Sequence, residues 1–142
     1  MLFTLRLLAL GLWLGAMAGF AFLFAPLAFA HVGATPAFAA TIAACVRELS
    51  FSGNLLGIAA VVITIFAGIE SRRAAAAIVA AIVIAMIAGF AETLLIVPRM
   101  EATPLLSPAY EALHRTSSGV YSVALLGTLA AFVMSGLRYR LR

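Results

Sequence analysis

Residues 74–91 of the chain read AAAAIVAAIVIAMIAGFA, an apolar stretch without a single charged side chain. A helix of about 20 apolar residues spans the roughly 30 Å of hydrocarbon in a bilayer. The stretch is continuous rather than alternating, so it predicts a membrane-spanning helix and excludes a strand of a membrane barrel. The mean hydropathy of +1.19 and the 65% share of hydrophobic residues extend this interpretation to all 142 residues.

Four such apolar runs follow one another, at residues 7–30, 51–69, 74–97 and 119–137. They predict an all-α integral membrane protein, a single four-helix bundle over residues 1–142. We expect helices 1 to 4 at about residues 5–30, 36–70, 74–97 and 110–138. Residues 28–30 resemble a signal-peptide cleavage site, but the apolar stretch before them exceeds the roughly 7–15 residues typical of signal peptides. We therefore expect the first run to remain as helix 1.

Charged residues are divided unevenly between the two sides of this bundle. With four spans, the side that holds both termini carries six of the nine arginines and one glutamate, and the other side carries three arginines and four glutamates. The positive-inside rule therefore predicts an N-in/C-in topology, with both termini in the cytoplasm and the protein in a bacterial inner membrane. The net charge of +4 is too small and too divided to indicate nucleic-acid binding, and the single cysteine excludes an internal disulfide.

Helix 2 has an unusual length. Thr35 and Pro36 have the pattern of an N-cap followed by a first-turn proline, and no helix-breaking residue follows before residues 50–54. A helix over residues 36–70 would be about 52 Å long and would overshoot the membrane. We expect helix 2 to be either extended beyond the outer interface or bent at its outer end. The prolines within residues 98–108 predict a loop over that whole segment.

Glycines recur four residues apart in the first two helices. Because small residues let helix backbones approach closely in a membrane, we expect helix packing at Gly11, Gly15, Gly19, Gly53 and Gly57. The main interpretation is close packing inside the monomer, and the alternative is a dimer face.

Polar side chains inside apolar helices are costly, so their placement is the main functional clue. By helical rise, all four helices place polar groups near the outer end of the bundle, whereas the inner half has almost none. These groups form a candidate ligand-binding pocket: Arg47, Asn54, Glu92, Arg99, His114, Ser117, Ser118 and Tyr121. In the plainer alternative, Arg47 or Arg99 simply neutralises Glu92, and we expect such an arginine partner. No polar stripe crosses the membrane, which argues against a channel or a proton relay.

Two histidines are candidate metal ligands, because imidazole binds iron, copper and zinc. His31 ends helix 1 and His114 lies at the start of helix 4. No metal-binding or haem-attachment motif accompanies them, so the sequence requires no cofactor. The chain has no aspartate and no signature of a catalytic triad, so we identify no catalytic residue.

Several short segments occur in the order of a known family. They are LWLG at residues 12–15, FAPLAF at 24–29, IVPRM at 96–100 and LHRTSSGVY at 113–121. Together they resemble the transmembrane protein 205-like family, a domain of unknown function in the copper-resistance-protein-D-like superfamily. The resemblance implies a four-helix membrane protein linked to metal or haem handling. The residues that match the family's pattern are Trp13, Gly15, Pro26, Phe29, His114, Ser117, Ser118 and Tyr121. Arg115 stands where the family often has glycine, and His31 matches none of its motifs.

The expected function is therefore non-enzymatic: the handling of a small ligand or a metal in the outer pocket, in support of transport or stress resistance. The first alternative is a structural or interaction subunit of a larger membrane complex, docked through the glycine faces of helices 1 and 2. The second alternative is a haem-dependent membrane oxidoreductase. The expected partners are the lipid bilayer and either a second copy of the chain or a subunit of a membrane complex.

Overall fold

The computed structural model describes residues 1–33, 35–67, 71–105 and 107–140. Its long elements are α1 (Leu2–Val32), α2 (Pro36–Ala67), α3 (Arg72–Glu101) and α4 (Pro108–Arg140). Each of the four is long and apolar enough to cross a membrane, which confirms the predicted set of four apolar helices. Glu70, the predicted end of helix 2, and Arg142, which entered the charge comparison, lie outside the described residues.

The four helices form a ring. α1 packs against α2 and α4, and α3 packs against the same two helices. Neighbouring helices run antiparallel because the connections between them are short. One end of the bundle, here called the termini end, holds the start of α1, the end of α2, the start of α3 and the end of α4. The opposite end, the distal end, holds the α1–α2 and α3–α4 connections.

The core contains a few large side chains among many alanines. Its buried cluster consists of Leu10, Trp13, Met17, Ala60, Ile78, Ile82, Ala85, Ala88, Ala124 and Ala131. Small residues bring the helix backbones close together, which matters because lipid removes the hydrophobic drive for helices to associate. Exposed large apolar side chains occur on all four helices, as a lipid-facing surface requires.

Trp13 of α1 packs closely against two glycines of α2. A Cβ atom added at Gly53 would lie 2.0 Å from Trp13 Nε1, and one at Gly57 would lie 2.9 Å from Trp13 Cζ3. Any larger residue at these two positions would therefore overlap the indole ring. The two glycines of α2 create the space that the tryptophan of α1 fills.

The glycines of α1 behave differently from those of α2. A Cβ atom at Gly11 would lie 3.4 Å from the ring of Phe132, whereas at Gly15 or Gly19 it would meet nothing within 4 Å. The helix turns this part of its surface away from the other described helices. The contact inside the monomer that we expected at Gly15 and Gly19 is therefore not formed, because a four-residue spacing does not determine which helix face meets a neighbour.

Two helices carry a π-helical turn followed by a proline. In α1 the turn is Phe20–Phe24 and Pro26 follows, and in α3 the turn is Glu92–Ile96 and Pro98 follows. Proline lacks an N–H group and its ring clashes with the carbonyl four residues earlier, so the helix widens to i→i+5 hydrogen bonds there. The prediction of a loop starting at Pro98 is wrong, because this widening carries the helix through the proline to Glu101.

α2 is an uninterrupted α-helix of 32 residues, including residues 50–54 where a bend was one of the two expectations. Its length is about 48 Å, so it exceeds the thickness of the hydrocarbon core. Thr35 Oγ1 accepts a hydrogen bond of 3.2 Å from the Phe38 N–H and caps the first turn. Of the two expected forms of helix 2, the structure has the extended one.

Polar side chains are also buried in the half of the bundle near the termini. Arg6 is only 1% exposed, and its Nη1 donates a hydrogen bond of 3.4 Å to Thr64 Oγ1. Thr128 and Ser135 of α4 are fully buried. The expectation of an almost purely apolar inner half is wrong. The Thr128 hydroxyl is accommodated there because it donates to the carbonyl of Ala124, whereas Ser135 Oγ has no hydrogen-bond partner among the described residues.

Candidate functional site

A cleft of about 390 Å³ lies at the distal end, with walls from all four helices. Most of the side chains that line it are apolar, and they include Phe20, Phe22, Pro26, Phe29, Ile42, Val46, Val97 and Met100. Both π-turns border the cleft, since Phe20 and Glu92 each begin one of them. π-turns inside α-helices are frequent at functional sites, so this position favours a binding role for the cleft.

Glu92 of α3 lies in the wall of the cleft, and its side chain is 1% exposed. Ser117 Oγ of α4 donates a hydrogen bond to Glu92 Oε1. Glu92 Oε2 is buried without a hydrogen-bond partner, and the described residues offer this carboxyl group no ion pair. Burying an ionised carboxylate without a cation is costly, so Oε2 is an acceptor that a bound cation or donor would stabilise.

The arginines that we expected beside Glu92 lie elsewhere. Arg47 Nη1 donates to the two carboxylate oxygens of Glu101, at 3.0 and 3.3 Å. Arg99 is exposed and does not line the cleft. The prediction that Arg47 or Arg99 neutralises Glu92 is wrong. Arg47 pairs instead with a carboxylate near the surface, where both charges keep part of their hydration.

Tyr121 joins α4 to α1 beside the cleft. Its hydroxyl donates a hydrogen bond of 3.0 Å to the carbonyl of Met17, just before the π-turn of α1, and its ring centroid lies 6.4 Å from that of Phe20. Ser118 also lines the cleft, and its hydroxyl donates to the carbonyl of His114 at 3.0 Å. The polar face that α4 presents to the cleft is therefore largely fixed by hydrogen bonds.

The two histidines are not brought together. His114 is exposed, lines the cleft and stacks on Tyr110 with ring centroids 6.5 Å apart. His31 is also exposed, its Nδ1 lies 2.8 Å from the carbonyl of Leu27, and it does not line the cleft. Among the described residues, no three His, Cys, Asp or Glu side chains gather to hold a metal ion. These residues therefore do not fit a metal or haem centre that uses both histidines.

Asn54 is buried between α2 and α3, outside the residues that line the cleft. It is 2% exposed, and neither Oδ1 nor Nδ2 has a hydrogen-bond partner among the described residues. A Cβ atom added at Gly89 would lie 2.7 Å from Asn54 Oδ1, and Gly89 precedes Glu92 by about one helical turn. Of the eight predicted site residues, the cleft unites Glu92, His114, Ser117, Ser118 and Tyr121, and it leaves out Arg47, Asn54 and Arg99.

Sequence reasoning missed the aromatic walls of the cleft. Phe20, Phe29 and Tyr110 resemble ordinary residues of an apolar or interfacial run, because nothing in their spacing separates a lipid-facing ring from one that faces a cleft. The sequence feature that could have indicated the position of the cleft was a proline inside a predicted helix. Pro26 and Pro98 mark the two widened turns that border the cleft.

The site offers one buried carboxyl group and several hydroxyls on an apolar surface. This composition is typical of a site that binds and orients a small molecule, in which a few polar groups provide the specificity. No protein-family model, curated protein or solved structure matches the chain.

Proposed function

We propose that the protein is a non-enzymatic membrane component that reversibly binds a small, largely apolar ligand in the distal cleft. The observation that carries this proposal is the state of Glu92, a cleft residue whose Oε2 is buried and has no partner among the described residues. A polar atom in this position inside a membrane helix is costly, and a ligand that supplies a donor or a cation would offset that cost.

The size and lining of the cleft support the same function. A volume of about 390 Å³ falls within the range of roughly 300–1,000 Å³ that is usual for small-molecule sites. The apolar walls would hold a hydrocarbon or aromatic body, and the polar groups of Glu92, Ser117 and Tyr121 would orient one end of it.

The topology that we propose places this cleft on the periplasmic side of a bacterial inner membrane, with both termini in the cytoplasm. The support for it is the charge distribution, since six of the nine arginines belong to the side that holds the termini. A ligand would then enter from the periplasm or from the outer leaflet, which suits a role in transport or in stress resistance.

Two alanine-to-phenylalanine variants of α1 test ligand binding. Ala25 lines the cleft, whereas Ala30 is exposed on the same helix and does not line it. The probes are 4-phenylbutylamine and 4-phenylbutanol, which share one aromatic body and differ in the polar end. We expect at least one probe to bind the wild-type protein and Ala30→Phe in detergent, as measured by equilibrium dialysis, and we expect Ala25→Phe to lose that binding. If neither probe binds in a way that Ala25→Phe blocks, the proposal is wrong.

A structural or interaction subunit is the second candidate function, and the uncovered glycines of α1 support it. Gly15 and Gly19 leave a surface on which a second helix backbone could come close. We would measure the mass of the protein in detergent by light scattering, for the wild type, for Gly15→Leu and for the control Ala80→Leu, whose position on α3 is exposed. An oligomer that only Gly15→Leu disrupts supports this candidate, and a monomeric wild-type protein excludes self-association through this surface.

A further inference from the structure

We infer that the ligand of the distal cleft carries an organic ammonium group, with Glu92 as its counter-ion. This inference rests on the proposed function, because it specifies the charge of a ligand that the cleft is proposed to bind. It adds a chemical class, a positively charged nitrogen on an apolar body, and it names the residue that recognises the charge.

The charge of the lining favours a cationic ligand. Among the described residues that line the cleft, Glu92 is the sole carboxylic acid, and none is an arginine. Two arginines of the distal half are already paired at the surface, Arg47 with Glu101 and Arg115 with Glu111. With the imidazole of His114 neutral, an ionised Glu92 leaves the cleft negative, and an anionic ligand would be repelled.

The hydrogen bonding of the carboxyl group also favours a cation. Ser117 Oγ donates to Oε1, whereas Oε2 is buried and has no hydrogen-bond partner among the described residues. A neutral alcohol or amide could donate a hydrogen bond to Oε2, but it would leave the negative charge of the buried group uncompensated. An ammonium group supplies a donor and the opposite charge together, and such charge-assisted hydrogen bonds are the stronger kind.

The aromatic residues of the lining suit an ammonium group on an apolar body. Rings from α1 and α4 border the cleft, including those of Phe20, Phe29, Tyr110 and Tyr121. The faces of aromatic rings attract ammonium ions, and they also pack well against alkyl or aryl groups. The same walls can therefore accept both the charged end and the apolar body of the ligand.

An inorganic cation fits this lining less well. Calcium and magnesium prefer about six or more oxygen ligands, and transition metals prefer several nitrogen or sulfur ligands. The part of the chain that the structure describes gathers no such group of side chains. A primary ammonium group needs no such cluster, because Glu92 supplies the counter-ion and the hydroxyls of the lining can accept its other N–H groups.

Two sources present this chemistry at a membrane: a free hydrophobic amine, and the aminoethyl headgroup of a lipid such as phosphatidylethanolamine. In both cases a cationic nitrogen would lie beside Glu92 and the attached carbon chain would lie along the apolar walls.

The two probes named above form a matched pair for the test, because 4-phenylbutylamine is a cation at neutral pH and 4-phenylbutanol is not. We expect the wild-type chain in detergent to bind the amine about tenfold or more tightly than the alcohol in equilibrium dialysis. Glu92→Gln should reduce this ratio to about one. The control Glu111→Gln, which changes an exposed carboxyl group of α4 outside the cleft, should keep it.

A second variant adds a cation instead of removing the buried carboxyl group, so it decides the question even if Glu92→Gln fails to fold. Ser118 is exposed and lines the cleft, and Ser118→Arg should lower the amine-to-alcohol ratio about fivefold or more by charge repulsion and by competition for Glu92. Thr116→Arg places the same charge at an exposed position of α4 that does not line the cleft, and it should leave the ratio unchanged.

The outcomes separate the inference from the proposed function. Equal binding of amine and alcohol, blocked by Ala25→Phe, overturns the inference and leaves the proposed function standing. Tighter amine binding that persists in Glu92→Gln and Ser118→Arg also overturns the inference. If neither probe shows cleft-dependent binding, both proposals fail.

Lipid nanodiscs distinguish the two sources of the ammonium group. We would compare nanodiscs of phosphatidylglycerol alone with nanodiscs that also contain phosphatidylethanolamine. Weaker amine binding in the second set supports the lipid headgroup as the ligand, and equal binding supports a free amine.

Discussion

Gly53→Ala is the smallest change that we expect to destabilise the bundle strongly. The added methyl group would lie 2.0, 2.5 and 2.8 Å from Nε1, Cδ1 and Cε2 of Trp13. Non-bonded heavy atoms prefer separations of about 3.5–4.0 Å, so the indole ring would have to move by roughly 1.5 Å. A shift of that size is large for a side chain in a close-packed core.

The surroundings of the ring oppose such a shift. Trp13 is 2% exposed and belongs to the buried core cluster, so little free space surrounds the ring. Overpacking of this kind costs about 1–3 kcal/mol. For a chain of this size we expect Tm to fall by an amount on the order of 3–12 °C. Thermal unfolding in detergent, followed by circular dichroism at one fixed scan rate, measures the difference.

Gly15→Ala is the matched control, because its methyl group would meet nothing within 4 Å. We expect its Tm to stay the same or to rise slightly, since alanine favours a helix more than glycine does. Trp13→Phe removes the part of the ring that contacts Gly53, so Gly53→Ala should cost less in that background. If Gly53→Ala and Gly15→Ala unfold at the same temperature, the reasoning about this contact is refuted.

Four further predictions concern the site and its orientation. Pro98→Ala should let α3 return to α-helical hydrogen bonding and rotate residues 97–101 by about 100°. Probe binding should then weaken roughly tenfold, or by about 1.4 kcal/mol, at constant helix content. Unchanged binding would show that the π-turn does not shape the cleft. Glu92→Gln should leave the Tm of the ligand-free protein equal or higher, because no arginine among the described residues loses a partner; a large fall would contradict that arrangement. Arg47→Gln should cost less than about 1 kcal/mol in the same melting experiment, since its pair with Glu101 is partly exposed. Reporter fusions at Thr103 and at the C-terminus should report the periplasm and the cytoplasm, and a periplasmic C-terminus would contradict the proposed topology.

The long apolar runs were enough to predict the helices. Each run is dominated by apolar side chains, whose transfer from water into lipid is favourable. In lipid, only a helix satisfies the backbone hydrogen bonds of one continuous apolar run of this length. The sequence also located the polar residues of α4 that line the cleft, because Ser117 and Tyr121 fall four residues apart on one helix face. Helical spacing therefore predicted correctly which residues of one helix share a face.

The contacts between helices could not be predicted in the same way. Spacing fixes which residues share a face, but it does not fix how far each helix rotates toward its neighbours. Trp13 and Gly15 illustrate the difference, since they are two residues apart and only the first is buried against another helix. Arg47 pairs with Glu101 rather than with Glu92. This pairing could not be predicted from spacing either, because it depends on which carboxylate lies near the surface.

The π-turn of α1 affects where a residue can be lost from or added to this helix. Before the turn, the buried residues of this helix include Leu10, Trp13 and Met17, and their spacing continued unchanged would bring residues 24 and 28 to the same face. Ala25 and Phe29 line the cleft instead, each one position later, so the turn absorbs one extra residue. Loss of a single residue here would leave both flanking faces pointing as they do now, whereas the same loss elsewhere in the helix would turn a lipid-facing side inward. Natural variation in the length of this helix should therefore collect beside the cleft and reshape its wall while the core stays in place.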